Sequence, residues 1–341
     1  MPAAPPPVFA LPGVSPDLAD RLQDGLSRVD AVIRAAVDDR DPLIAHASGH
    51  LLEAGGKRLR PLLTLLASEL GPEGHRSDAA MSDAVVAAAA GVELTHLASL
   101  YHDDVMDEAT VRRAVRSANA TYGNSTAILI GDLLFGKASE IVAGLGADAV
   151  LIQAQTFVRL CSGQIRDDQP CPPGTDPVDY YLGVLADKTG ALIATAARYG
   201  ALFGGCEPEV VRLATAYGER LGVAFQLADD LIDISSDATE TGKTPGTDLR
   251  EGVDTLAVLH AKASTDPVDA RLQHLLTEDL RDPVRHAEAL TLLRANPALD
   301  RARAESVAVG LEASALLDGL PDSEARHALQ SLVISVTERV G

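Results

Sequence analysis

Twice in this chain the pattern Asp-Asp-x-x-Asp interrupts a run that is otherwise apolar at helical spacing. Asp103-Asp104-Val105-Met106-Asp107 closes one run, and Asp229-Asp230-Leu231-Ile232-Asp233 lies inside another, Leu221 to Ile234. Residues four apart on an α-helix stack on one face, roughly one turn apart. Two carboxylates held this way repel each other unless something neutralises them. A hard divalent cation does so, and Mg2+ is typically held by one or two protein carboxylates and completed by phosphate oxygens and water. One such cluster in so acidic a chain reads equally well as a solvated helix face. The second copy separates the two readings. Aspartate-rich clusters on two apolar helices imply helices that face each other across a cavity, with metal and polyphosphate between them.

The remainder reads as helix almost throughout. Ser15-Pro16 has the form of a helix N-cap and first turn, and Leu18, Leu22, Leu26, Val29, Ile33 and Val37 follow at three- and four-residue spacing. Further helices are expected over about 41–53, from near Pro61, over 78–110 with the first aspartate cluster near its end, and over 117–145, 147–166, 176–205 and 208–235. Shorter ones are expected over 253–264, 267–278, 283–295, 299–317 and 322–339, with clear interruptions at Cys171-Pro172-Pro173-Gly174 and from Asp237 to Gly252. No alternation of period two, no short repeat and no dividing linker is present. The expectation is one all-α domain over residues 15–341, preceded by a Pro/Ala tail over 1–14.

A net charge of −20 argues against nucleic acid and against an anionic membrane surface. A polyanionic ligand would then need clustered Lys and Arg together with metal ions. The most apolar stretch, Asp78 to Leu100, is broken by Asp83, Glu93 and His96, so no integral membrane segment is read. The proline-rich start has no basic region of a secretory signal, and three cysteines without metal-ligand spacing suit a reduced, cytoplasmic setting.

The basic residues do cluster. Gly55-Gly56-Lys57-Arg58-Leu59-Arg60 places three cations beside two glycines at a helix start. It is not a P-loop, and neither is Gly242-Lys243-Thr244, because the earlier glycine is missing in both. Arg112 and Arg113 lie one to two turns past Asp107, where they could pair with the aspartates or clamp a phosphate. Lys188 sits in an otherwise apolar run, either snorkelling outward or aimed into the cavity. Glu93-Leu94-Thr95-His96 has the spacing of a di-iron motif, but no second copy exists. His96, seven before Asp103, shares that helix face.

Taken in order, five stretches resemble the trans-isoprenyl diphosphate synthase (polyprenyl synthetase) family. They are Gly55 to Pro61, His102 to Asp107 with Arg112-Arg113, Lys188-Thr189, Phe225 to Asp233, and Gly242 to Gly252. The resemblance runs from about residue 40 to the C-terminus and is closest to the long-chain all-trans synthases. It implies a single large helical bundle of the isoprenoid synthase type with a central cavity, a homodimer, and Mg2+ as cofactor, three ions per active site. It also implies roles. Asp103 and Asp107 would hold two Mg2+ bridging the allylic diphosphate with Asp104 in support, and Asp229 a third, with Asp233 acting through water. Arg112, Lys188 and Lys243 would contact the allylic diphosphate. Lys57, Arg60, His96 and Arg113 would bind isopentenyl diphosphate. Lys188, Thr189 and Gln226 would be catalytic, the oxygens of Thr189 and Gln226 facing the allylic carbons. One departure stands out. The family usually follows the arginine pair with Gly-Lys/Arg-Pro-Thr, and here the residues are Ala114-Val115-Arg116-Ser117.

The implied reaction suits the residues. An allylic diphosphate leaves slowly unless its charge is neutralised by metal and cations. The double bond of isopentenyl diphosphate then attacks the allylic cation, and loss of a proton gives the longer allylic product. A terpene cyclase is the first competitor, but it would carry a different second metal motif and aromatic cavity walls, and this chain has no Trp and 3% aromatics. A silent partner subunit is the second, but it should have lost aspartates or arginines. Product length turns on Ser99 and Ala98, four and five before Asp103. Small residues one turn, ~5.4 Å, below the metals leave the cavity open, which by family analogy implies a long all-trans product of roughly seven to ten isoprene units. Farnesyl or geranylgeranyl diphosphate is the alternative.

Overall fold

The computed structural model describes residues 14–72, 81–235 and 245–338. The expected tail over 1–14 therefore lies, Val14 apart, outside the described residues, and so does Gly242-Lys243-Thr244. Helices begin where a polar cap meets proline. Ser15-Pro16 opens α1 (Pro16–Val37), Asp41-Pro42 opens α2 (Pro42–Glu53), Asp176-Pro177 opens α8 (Pro177–Leu185) and Asp282-Pro283 opens α14 (Pro283–Arg294). In each, the cap side chain accepts a backbone N–H of the first turn while proline supplies a helical φ and no surplus donor.

Contacts group the chain into two compact units. The first takes in residues up to Val158, then Leu192–Gly218 and Leu316–Ser331. Besides α1 and α2 it holds α3 (Leu59–Ser68), α4 (Asp83–Met106), α5 (Ala118–Tyr122), α6 (Asn124–Ala143) and most of α7 (Ala147–Asp167). It also holds most of α9 (Ala191–Phe203), the first part of α10 (Pro208–Ser235) and, after the end of α15 (Pro297–Leu317), the first part of α16 (Glu324–Thr337). Helix α4 is its axis, packed by α1, α3 and α6. Among the described residues it is the one helix long and apolar enough to cross a membrane, yet most of it is buried inside the protein. Three fully buried tyrosines donate to distant carbonyls: Tyr101 to Ala47, Tyr199 to Ala149 and Tyr217 to Leu329. Each buries a large ring without stranding its hydroxyl.

The second unit comprises Arg159–Ala191, Glu219–Ala315 and the stretch from Leu332. It contains α8, a π-helical turn over Ala186–Gly190, the second half of α10, and α11 (Thr247–Glu251), α12 (Leu256–Ala263), α13 (Ala270–Leu275), α14 and most of α15. Helix α12 packs on α8, α13 and α14.

One expectation is corrected. The helix carrying the first aspartate cluster does not continue to residue 110; it stops at Met106, and Arg112 and Arg113 are not helical. The stop is a Schellman motif. Ala109 N–H reaches Asp104 O at 3.0 Å and Glu108 N–H reaches Val105 O at 3.4 Å, with Glu108 left-handed at φ 49°. The β-branched Val111 and Val115 then form a two-stranded ribbon, β1 (Val111–Arg112) and β2 (Val115–Arg116), pairing Val111 with Arg116 and Arg112 with Val115. The turn between them is Arg113-Ala114, both left-handed (φ 52° and 61°), the form that matches strand twist in a two-residue hairpin. The run expected over 117–145 is likewise two helices, parted at Gly123.

Candidate active site

In the first unit the aspartates of α4 divide their work. Asp104 is fully buried and accepts from Arg112 Nε at 2.6 Å, while its Oδ2 has no hydrogen-bond partner among the described residues. Asp103 is half-buried, and Asp107, at the helix C-cap, is exposed with Arg112 Nη2 at 3.8 Å. The middle aspartate is thus tied to an arginine, and the outer two lie nearer solvent.

Arg113 turns the other way. Its Nη1 donates to the carbonyls of Leu51, at 2.7 Å, and Gly55, satisfying the open end of α2. Gly56 makes this approach possible, since a Cβ there would lie 3.0 Å from the guanidinium of Arg113 and from Arg58 Nη1. Of the cations in that loop, Lys57 is exposed and Arg60 half-buried. Arg58 is neither: it is buried, left-handed, and paired with Asp30 at 3.0 Å and Glu93 at 3.3 Å. This contact makes Glu93 the counter-ion of an arginine and disposes of the di-iron spacing.

His96 is half-buried on α4. Burial, and then the guanidiniums of Arg60, Arg113, Arg112 and Arg58, push its pKa well below 6.5. At neutral pH it is an uncharged imidazole, able to donate one hydrogen bond and accept another. Burial also lowers the Arg60 pKa, with Glu93 opposing and Asp103 nearby. Ala98 is buried; Ser99 is half-buried and donates to the His96 carbonyl at 2.9 Å.

In the second unit the π-helical turn presents Lys188 and Thr189. Lys188 Nζ donates to Asp167 at 2.6 Å, and Thr189 Oγ1 donates to Gln226 Oε1 at 3.2 Å. The turn is braced by Asp187, which accepts from Arg159 at 2.8 Å and Arg166 at 2.9 Å. Gly163 lets α7 come close: a Cβ there would sit 2.5 Å from the Lys188 backbone nitrogen. On α10, Asp230 is buried and accepts from Gln226 Nε2 at 2.9 Å and from the Tyr181 hydroxyl. Burial, foremost, raises its pKa to about 6. Asp229 and Asp233 are half-buried, and Asp233 accepts the Asp248 N–H at 3.1 Å, tying α10 to the start of α11. Lys243 lies outside the described residues.

The donor chemistry suits Mg2+. The outer aspartates of each motif offer hard carboxylate oxygens and no sulfur or nitrogen. No group of three His, Cys, Asp or Glu side chains converges among the described residues, and Mg2+ is typically held by one or two protein carboxylates with phosphate and water completing its shell. Asp167, Asp187, Arg159, Arg166 and Tyr181 escaped the sequence reading. The one local hint is Gly163, alone in a run that otherwise reads as uninterrupted helix.

The polyprenyl synthetase family model matches residues 41–293. The chain is 45% identical over 323 residues to a nonaprenyl diphosphate synthase from Mycobacterium tuberculosis, covering 95% of both chains. Among solved structures, a geranylgeranyl pyrophosphate synthase from Corynebacterium glutamicum, complexed with calcium and isoprenyl diphosphate, aligns with TM-score 0.84 and 42% identity over 96% of this chain and 98% of that one. A decaprenyl diphosphate synthase from Rhodobacter capsulatus aligns with TM-score 0.85 and 32% identity, covering 95% and 98%. With the ordered motifs, the all-α fold of the isoprenyl diphosphate synthases and matches spanning nearly the whole chain, this protein belongs to the polyprenyl synthetase family.

Proposed function

We propose that this chain condenses isopentenyl diphosphate with an allylic diphosphate to make a long all-trans polyprenyl diphosphate, of roughly seven to ten isoprene units as in the nonaprenyl and decaprenyl relatives. The observation that carries the reading is the charge arrangement. An acidic chain gathers Arg58, Arg60, Arg112 and Arg113 around a neutral His96, seven residues from the first outer aspartate. Arg60, Arg112 and Arg113 of this cluster would bring positive charge to a diphosphate where the global field would repel it, while Arg58 stays paired with Asp30 and Glu93. Asp103, Asp107, Asp229 and Asp233 would hold Mg2+, which when bound neutralises charge on the departing pyrophosphate. Arg112, Lys188 and Lys243 would take the allylic diphosphate, and Lys57, Arg60, His96 and Arg113 the isopentenyl diphosphate. Thr189 and Gln226 would turn oxygen toward the developing allylic cation.

Ala98 and Ser99 carry no bulk at the level where a growing chain would pass α4, which supports a long product. The shorter alternative is favoured by the geranylgeranyl synthase among the structural neighbours. We read residues 15–341 as one catalytic domain acting in the cytoplasm as a homodimer. The apolar side chains left exposed on α6 and α7 support self-association, among them Leu129 at 66%, Val158 at 64% and Leu151 at 56%. The test is purified protein with Mg2+, farnesyl diphosphate and labelled isopentenyl diphosphate, the extracted products sized by chromatography. A product series that stops at geranylgeranyl diphosphate or shorter would sink the long-chain reading. No transfer at all would sink the reaction, and a monomer by sedimentation the homodimer.

A further inference from the structure

The second unit contains a hydrogen-bonded relay whose outer members, Thr189 and Gln226, enter the reaction scheme above and whose buried members, Tyr181 and Asp230, do not. The Tyr181 hydroxyl donates to Asp230 Oδ2, Gln226 Nε2 donates to Asp230 Oδ1 at 2.9 Å, and Thr189 Oγ1 donates to Gln226 Oε1 at 3.2 Å. Tyr181 is 8% exposed and Asp230 7%. We infer that Tyr181 and Asp230 are positioning residues for the reaction: by receiving two donors, the Asp230 carboxylate fixes which way the Gln226 amide faces, and through it the hydroxyl of Thr189.

The argument is one of donors and acceptors. A glutamine amide has one accepting and one donating end, and neighbours decide which end points where. A carboxylate can only accept, so the amide NH2 must face Asp230. The carbonyl is then turned to Thr189 and takes that hydroxyl's single proton. The oxygen of Thr189 keeps its lone pairs for a cation, and the Gln226 NH2 faces Asp230 instead of it. If the amide were reversed, Thr189 would accept from Gln226, and a positive hydrogen would lie where positive charge develops. Fixed dipoles of this kind act through their pre-set orientation. Tyr181 takes up the other carboxylate oxygen, so that Asp230 cannot swing away from Gln226.

The inference rests on the prenyl-transfer reading, and the experiment keeps the two apart. Wild-type turnover with Mg2+, farnesyl diphosphate and isopentenyl diphosphate tests that reading first. Tyr181→Phe removes one hydrogen bond to a charged group, and kcat should fall about tenfold with both KM values within about twofold. The Mg2+ concentration for half-maximal rate should stay at the wild-type value. Asp230→Asn can present an NH2 to Gln226 and reverse it, and kcat should fall about a hundredfold. Adding Gln226→Glu to Asp230→Asn restores a side chain that only accepts and conserves net charge, so the double variant should recover at least about tenfold. The inference is overturned if Tyr181→Phe turns over like wild type, if its defect disappears at high Mg2+, or if the double variant is no faster than Asp230→Asn.

Discussion

The Arg113-Ala114 turn carries a strain that can be removed by one substitution. Ala114 is exposed and its φ is 61°. An L-residue in the left-handed region costs roughly 1–2 kcal/mol, and the Ala114 methyl, exposed to solvent, offsets little of it. Glycine removes the penalty but adds about 0.5–1 kcal/mol of entropy to the open chain. Ala114→Gly should therefore stabilise the hairpin by about 0.5–1 kcal/mol. Global unfolding would barely register this in a chain of 341 residues, so the measurement must be local. The Ser117 N–H, held by the Thr110 carbonyl at 3.0 Å, reports on the hairpin. Its hydrogen exchange should slow about two- to fivefold in Ala114→Gly. Ala114→Val puts a β-branched residue at positive φ and should speed it. Unchanged or faster exchange in Ala114→Gly, or wild-type protection in Ala114→Val, would refute the strain argument.

Other substitutions test the charged framework. Asp104→Asn weakens the hold on Arg112, and the KM for the allylic diphosphate should rise about tenfold while that for isopentenyl diphosphate stays constant; an equal rise in both would remove Arg112 from the allylic subsite. Arg58→Ala leaves Glu93 buried without its main counter-charge and should cost about 3–5 kcal/mol. Arg58→Met with Glu93→Met should regain most of it in denaturant titrations, and a wild-type midpoint for Arg58→Ala would contradict the reading. His96 gives a pH signature. Its folded pKa lies below 6.5, so below pH 6.5 the unfolded chain binds a proton that the folded one refuses, and stability falls as pH falls toward the folded pKa. His96→Gln should gain on wild type below pH 6.5 in thermal melts and match its slope above; parallel curves throughout would show that His96 is not held neutral.

Much of this molecule is legible in its sequence because its signals are local. Ser15-Pro16 states a helix start outright, and the aspartate motifs, the loop at Gly55 to Arg60 and Lys188-Thr189 are short and contiguous. What the sequence concealed is what depends on partners far along the chain. Glu93 has no role legible in the sequence, where its di-iron spacing lacks a second copy, and Arg58, thirty-five residues away, proves to be its counter-ion. Tyr181 looks like any apolar helix residue until Asp230, forty-nine residues on, is placed beside it. The end of α4 is hidden for a different reason. A helical period continues through Glu108, and only the left-handed conformation of that residue, which no side chain there announces, diverts the chain into the hairpin.

The π-helical turn has a consequence for how much of the site is written in residue identity at all. Eight positions separate Tyr181 from Thr189, and at ~100° per residue an unbroken α-helix would set them about 80° apart around its axis. The turn over Ala186–Gly190 absorbs one extra residue, so the phase difference drops to about 20° in the opposite sense. Gln226 and Asp230, four apart, differ by only about 40°. The two hydrogen-bonded pairs can therefore form along matching strips of two helices because of a surplus residue, whatever that residue is. Deleting Ala186 and closing the turn into α-helix would leave seven steps, ~700°, and so the same phase of about 20°, whereas keeping all the residues and straightening the turn into α-helix would swing Tyr181 about a quarter-revolution from Asp230. Part of this site is therefore stored in the winding of one turn, which makes it more sensitive to substitutions that straighten the π turn than to removal of its surplus residue.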